Sequence, residues 1–142
     1  MIRKFIPSDE KGIALLEREC FSSPWSENAI LESASADTSF FVYTENENIL
    51  GYAGLQIVLD EGYVTNIAVT KEARGRGIGK ALVETLVAFA KDKSLAFISL
   101  EVRQSNAPAI SLYKKFGFED KGKRKAFYQH PTEDAIIMTK EF

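Results

Sequence analysis

The ten residues ARGRGIGKAL, Ala73 to Leu82, restrict what this chain can fold into more than any other stretch. Gly75, Gly77 and Gly79 fall within five positions beside Arg74, Arg76 and Lys80, and an apolar helical pattern begins at once behind them. Glycine reaches backbone conformations closed to other residues and lets main-chain amides approach a ligand closely. A helix that starts there adds unpaired N–H groups and the positive end of its dipole. Together these features make a strand–turn–helix unit suited to a phosphate.

Two phosphate-binding loops can be tested against that spacing. A P-loop needs a glycine five positions before Gly-Lys-Ser or Gly-Lys-Thr, yet Arg74 stands there and Ala81 follows Lys80. The dinucleotide fingerprint needs glycine at its first, third and sixth positions. Counted from Gly75, the sixth is Lys80, and no acidic residue ends a strand about 20 residues on. Neither register fits. A flexible turn without a ligand is the other local reading, so the surrounding chain must decide.

With 142 residues and 45% hydrophobic content, the chain can build one core and hardly two. No repeat, low-complexity tract or long linker divides it, so one domain over residues 1–142 is expected. A short strand around Ile2 to Phe5 precedes Ile13, Leu16 and Cys20 at helical spacing, and SSPWSENAIL carries Ser and Pro start signals for a second helix. Ser39–Thr44, Ile49–Asp60 and Gly62–Val69 read as strands of an antiparallel meander, separated by the turn formers ENEN and DEG. Behind the glycines, Ile78, Leu82, Leu86 and Phe89 form one apolar stripe leading to a buried strand, Leu95–Val102, which makes a βαβ crossover. A helix from about Asn106 to Phe116 stops at Gly117, and FEDKGKRKAFY and DAIIMTKEF close the chain as strands. The fold class is α/β with a mixed sheet.

A formal net charge of -2 argues against a general nucleic-acid binder. Cys20 is the single cysteine, so no intramolecular disulfide ties the chain to an oxidising compartment, and a cytoplasmic location is expected. The start lacks the apolar run of a signal peptide, and no segment approaches the roughly 18 apolar residues of a membrane span. A soluble, unprocessed protein is expected.

Strand TNIAV, then Arg74-Gly75-Arg76-Gly77-Ile78-Gly79, then LEVRQSNAPAISLYKKFGF resembles the GNAT acyl-CoA N-acyltransferases, whose pyrophosphate loop has the same Arg-x-x-Gly-x-Gly spacing. CFSSPWS, LEVRQSN, LYKKFGF and EDAIIM further resemble the branch of that family that acetylates the N-terminal alanine of ribosomal proteins, over nearly the whole chain. The resemblance implies a largely antiparallel GNAT-type sheet with helices on both faces, and acetyl-CoA in a cleft where the strands ending at Val69 and near Val102 splay apart. It also implies that the main chain of Ile67, Ala68 and Val69 pairs with the pantetheine arm. Amides of Gly75, Arg76, Gly77, Ile78, Gly79 and Lys80 would receive the pyrophosphate, with the Arg74, Arg76 and Lys80 side chains beside it rather than free in solvent.

Attack of a neutral amine on a thioester needs removal of an amine proton, support for negative charge on the carbonyl oxygen, and help for the departing thiolate. By resemblance Glu101 is the general base, Tyr113 the proton donor to the thiolate, and Asn106 a pantetheine contact. A strand-end salt bridge is the alternative for Glu101, and a helix N-cap before Pro108 the alternative for Asn106. Asn106 and Tyr113 lie seven residues apart on one expected helix, which puts them on one face about 10 Å apart. An α-amine of pKa about 8 is partly neutral at pH 7, so the carboxylate needs no strongly raised pKa. A phenol near 10 facing a thiol near 8.5 favours a hydrogen bond with partial transfer.

Phe21, Trp25, Tyr128 and Glu133 fall in the leading helical segment and late hairpin that flank the acceptor side in this family, where they would clasp a peptide N-terminus. Packing at a helix start is the alternative for Trp25. His130 has no His or Cys partner at metal spacing and acetyl transfer needs none, so no metal is expected. Cys20, on the apolar stripe, is expected in the core, with no acyl-enzyme. The implied partners are acetyl-CoA and the N-terminal segment of a small-subunit ribosomal protein, with no direct nucleic acid, no membrane and a monomeric state. Two alternatives stay open: a GNAT enzyme for a small-molecule amine or a lysine side chain, and an acyl-CoA sensor without catalysis.

Overall fold

The computed structural model describes all residues from Met1 to Phe142. In chain order the elements are β1 (Ile2–Lys4), α1 (Glu10–Cys20), α2 (Glu27–Ala36), β2 (Thr38–Glu45), β3 (Asn48–Val58), β4 (Glu61–Val69), α3 (Ile78–Asp92), β5 (Phe97–Arg103), α4 (Ala107–Lys115), β6 (Glu119–Tyr128) and β7 (Glu133–Glu141). One seven-stranded sheet results, in the order β1-β2-β3-β4-β5-β7-β6, and only the β4–β5 pair is parallel. The antiparallel meander and the βαβ crossover are as the sequence predicts. The closing strands pair with each other as a hairpin, and β7 also enters the sheet between β6 and β5.

Two-residue alternation sorts the strand side chains onto two faces. Phe40, Val42 and Tyr52 meet Ile13, Leu16 and Ile30 of α1 and α2. Phe41, Ala53 and Leu55 meet Ile78, Leu82 and Leu86 of α3, and Ile110, Leu112 and Tyr113 of α4 join the same cluster. Complete burial of a side chain such as Leu82 is worth about 1.5–3 kcal/mol. No helix is long and apolar enough to cross a membrane.

Local signals set the helix ends. The Ser26 hydroxyl accepts the Ala29 N–H at 3.1 Å and starts α2, which leaves Trp25 just outside the helix. Asn106 is likewise an N-cap, its Oδ1 accepting the Ala109 N–H at 3.3 Å, so it precedes α4 instead of sharing its face with Tyr113. At the other end Gly117 takes φ +91°, its N–H donating to Lys114 and the Phe118 N–H to Tyr113. That is a Schellman ending, and its usual apolar contact is the pairing of Tyr113 with Phe118 at 5.7 Å between ring centres.

The feature that shapes the site is an irregularity in β4. Ala53 pairs with Ile67 and Leu55 with Val64, so Thr65 and Asn66 together face Gly54, a bulge. Val64 and Ile67, three apart, consequently share a face, while Ala68 lies on the other. Gly54 has no room for a side chain, because a Cβ there would lie 2.3 Å from the Thr65 hydroxyl and 2.7 Å from the Phe40 ring. Just before the bulge β4 also leaves β5. The two pair only from Glu61–Phe97 to Tyr63–Ser99, and β5 continues to Arg103 against β7 alone. The sheet is therefore split beyond Tyr63, as the resemblance implies.

Gly54→Ala should cost about 1–3 kcal/mol, the usual range for overpacking. Urea unfolding of the variant measures it, and an unchanged midpoint would mean that Thr65 and Phe40 can yield.

Candidate active site

The first wall of the split is main chain. From Val64 to Val69, β4 bonds to β3 on one edge and pairs with no strand on the other. Ala68 buries its side chain in the core, so the backbone is what this segment presents to the cleft. Beyond its end lies the glycine loop, with Gly75 at φ +83° and Gly77 at φ +81°, both left-handed. No atom lies within 4 Å of where a Cβ would stand at either, so open space borders the loop. The first helical bond of α3 runs from Ala81 N–H to Gly77, which leaves the amides of Ile78, Gly79 and Lys80 free at the positive end of a fifteen-residue helix. This free edge and amide-lined loop fit an extended arm that ends in a pyrophosphate.

The cationic side chains of the loop are more dispersed than the sequence implies. Arg74 turns toward the end of β4, donating from Nε to the Val69 carbonyl at 3.1 Å and from Nη2 to Cys20 Sγ at 3.5 Å. Arg76 pairs with Glu45 at 2.5 Å, and as both are about half exposed the pair adds little stability. Lys80 is exposed beside the open loop. Cys20 is half-buried rather than enclosed, its thiol contacting the Val69 carbonyl at 3.6 Å, and burial pushes its pKa up.

Across the split, β5 carries Glu101, with its side chain 30% exposed and Oε1 3.4 Å from Arg124 Nε of β6. The strand-end ion pair thus exists, but Arg124 is 57% exposed and takes one oxygen only. Tyr113 comes to the same region from α4, held by its ring contact with Phe118. Burial, then the neighbouring Tyr128, push its pKa up to about 12. Tyr128 also rises to about 12, through burial and then the Glu101 charge, with Arg103 opposing. Tyr128 thus lies within electrostatic reach of both Glu101 and Tyr113.

Arg103 organises the end of that wall. Its guanidinium lies 4.5 Å above the Tyr128 ring, donates to the Gln129 and Pro131 carbonyls at 3.1 Å, and meets Glu133 Oε1 at 3.2 Å. The other Glu133 oxygen accepts the Ser105 N–H at 2.6 Å, and these two partners hold its pKa below the usual carboxylate range. Glu133, expected to clasp an acceptor, thus has both oxygens engaged in tying the β6–β7 turn to the start of α4. On the facing side Phe21 and Trp25 are partly buried, Trp25 meeting Phe40 edge-on at 6.3 Å. The Ser22 hydroxyl reaches across to the Gln129 carbonyl at 3.0 Å and bridges the two sides. His130 sits in the turn, and no cluster of His, Cys, Asp or Glu forms a metal-ligand set.

Arg103, inside LEVRQSN, and Arg124 and Glu17 stand outside the residues that the sequence points to for the site. The signal for Glu17 was present, since a carboxylate occupies the i+4 position after Ile13, on the apolar stripe of α1.

Residues 11–118, which hold the split strand pair, the glycine loop and the helix N-terminus behind it, match the acetyltransferase (GNAT) family model, which makes the class an acyl-CoA-dependent transferase. The chain belongs to the GNAT family and is an acetyl-CoA-dependent N-acetyltransferase. It is 38% identical to the Escherichia coli ribosomal protein bS18-alanine N-acetyltransferase over 127 residues, which cover 87% of this chain and 84% of that one. A Bacillus subtilis protein provisionally given the same name is 40% identical over 141 residues, 96% of this chain and 92% of the other. The crystal structure of the Escherichia coli enzyme superposes with a TM-score of 0.92 at 34% identity, covering 99% of this chain and 92% of that one.

Gly77→Val places a β-branched residue at φ +81°, a strain of about 1–3 kcal/mol, and fills the space beside the loop. Acetyl-CoA affinity should fall by roughly tenfold or more, read by titration calorimetry; a folded variant of unchanged affinity would remove the loop from the binding site. Arg103→Ala should speed hydrogen exchange over residues 129–133 by roughly tenfold while α3 keeps its protection.

Proposed function

We propose that the protein transfers the acetyl group of acetyl-CoA to the α-amine of a protein N-terminus, with the N-terminal alanine of a small-subunit ribosomal protein as acceptor. The observation that carries this reading is the Ser22–Gln129 bridge over the acceptor side. Two sides tied together in this way suit a chain end inserted lengthwise better than a segment laid across them. The relatives named as alanine N-acetyltransferases support the choice of residue.

In this reading the pantetheine arm lies along Ile67, Ala68 and Val69, the pyrophosphate on the amides from Gly75 to Lys80, and Asn106 beside the arm. Arg76 exchanges Glu45 for the diphosphate, and Arg74 and Lys80 add positive charge. The peptide end enters between Phe21 and Trp25 on one side and Tyr128 on the other, with Glu133 acting through the turn it holds. Glu101 takes the proton from the ammonium, directly or through a water, through the oxygen that Arg124 leaves free. The amine nitrogen bonds to the acetyl carbon, its second proton passes to water, and the carbon–sulfur bond breaks. Tyr113 then donates a hydrogen bond to the thiolate. Full transfer from a phenol at about 12 to a thiol near 8.5 is uphill by roughly 5 kcal/mol, so the final proton comes from solvent.

The two side chains act on different protons and should leave different pH signatures. Glu101→Gln should slow acetyl transfer to an N-terminal alanine peptide by roughly 10²-fold or more at neutral pH. Above about pH 8 the rate should partly recover, because the substrate arrives deprotonated. Tyr113→Phe should show a defect that persists or deepens with pH, since a rise in pH does not replace the hydrogen bond to the departing thiolate. Single-turnover rates at saturating acetyl-CoA check both and avoid masking by product release. Near wild-type rates for both variants from about pH 6 to 9 would leave neither in the chemistry, and preference for a lysine side chain or a polyamine over the peptide would overturn the acceptor.

A further inference from the structure

Helix α1 places a carboxylate where its stripe would be apolar. Ile13, Leu16, Glu17 and Cys20 follow the i, i+3, i+4, i+7 pattern, and Glu17 is 0% exposed. A charge in the core is tolerable only when its lone pairs are met. The Trp25 N–H donates to Oε1 at 2.9 Å, and Oε2 accepts the Tyr52 hydroxyl at 2.5 Å and the Asn66 side-chain amide at 3.1 Å. These partners are neutral, and Glu17 enters none of the ion pairs of the molecule. Burial pushes its pKa up against the pull of the three donors. The charged form therefore weakens the fold relative to a neutral side chain of the same shape.

The three donors come from three separate parts of the chain. Tyr52 belongs to β3, Asn66 to the β4 bulge just before Ile67, and Trp25 to the connection between α1 and α2. The Glu17 carbonyl also accepts the Phe21 N–H at 2.9 Å, so one residue holds both ends of the segment from Phe21 to Trp25. Ser22, inside that segment, makes the bridge to Gln129.

We propose that Glu17 is a positioning residue for the acceptor: its ionised carboxylate locks the Phe21–Trp25 connection onto the β4 bulge and so sets the slot that holds the incoming amine. The inference rests on the acceptor side assigned under the proposed function. The glycine loop is not among the partners of Glu17, and β4 meets it through the Asn66 side chain and not through the Ile67–Val69 main chain, so the acetyl-CoA KM is expected to change less than the peptide KM.

Glu17→Gln in the full chain removes the charge and keeps the shape, because the Tyr52 hydroxyl and the Asn66 amide can both turn to accept. The peptide KM should rise roughly tenfold or more, the acetyl-CoA KM should stay within about twofold, and the melting temperature should hold or increase. A merely structural residue would instead lower the melting temperature and move both constants together. That outcome, or an unchanged peptide KM, overturns the proposal. Tyr52→Phe removes one donor and serves as the second variant: a rise of a few-fold in peptide KM alone is expected, and no rise overturns the proposal. Wild-type turnover of the same peptide tests the acceptor separately. Where the wild type prefers another amine, the KM for that amine is compared, and the ratio between variant and wild type decides on Glu17.

Discussion

Three residue pairs join β4 to β5, and the site depends on the pairing stopping there. Past Tyr63 the outer edge of β4 has backbone donors and acceptors with no strand beside them, within the sheet rather than at its rim. Such groups need a partner, from water or from a ligand shaped like a strand. The bulge at Thr65 and Asn66 re-aims β4 as it leaves, and the insertion of β7 on the far edge of β5 keeps that strand ordered without β4. Helix α3 then starts beyond the end of β4 with its free amides at the open loop. One interrupted ladder thus produces both the slot and the open, amide-lined loop at its mouth.

The two sides of the split work by different physics. The β4 side presents free main chain and a loop of left-handed glycines. The other side is held by side chains through charge and stacking, Arg103 on Tyr128 and Glu133 and Arg124 on Glu101, and Glu17 holds Trp25 and Asn66. Tyr113 belongs to this side although it comes from α4, and the Schellman ending at Gly117 fixes its height by packing it on Phe118. Buried Glu17 is the most expensive member of the set, because its charge meets only neutral donors.

Periodic elements were legible wherever one residue type and one spacing had a single physical outcome. The stripe of Ile78, Leu82 and Leu86, the alternation in Phe40, Phe41 and Val42, and Gly117 past the end of α4 all appear at the expected places. Boundaries moved where caps competed with periodicity: Asn106 and Trp25 lie outside the helices they introduce, and Leu95 is buried in the turn before β5. The free edge of β4 was legible through the resemblance, and the open loop after it through the glycines themselves.

The sequence by itself determined the antiparallel meander, the crossover helix behind the glycines and the presence of an anion-suited loop, because each follows from local periodicity or local backbone freedom. Tertiary structure alone decided the position of β7 between β5 and β6, the bulge opposite Gly54, the turn of Arg74 toward Val69 and the meeting of Glu17 with Asn66, 49 residues away. Those features depend on which distant groups arrive at the same point. A bulge residue, a carboxylate on an apolar stripe and an arginine beside a strand end have no assigned partner until the sheet is assembled, and the partner determines what each of them does.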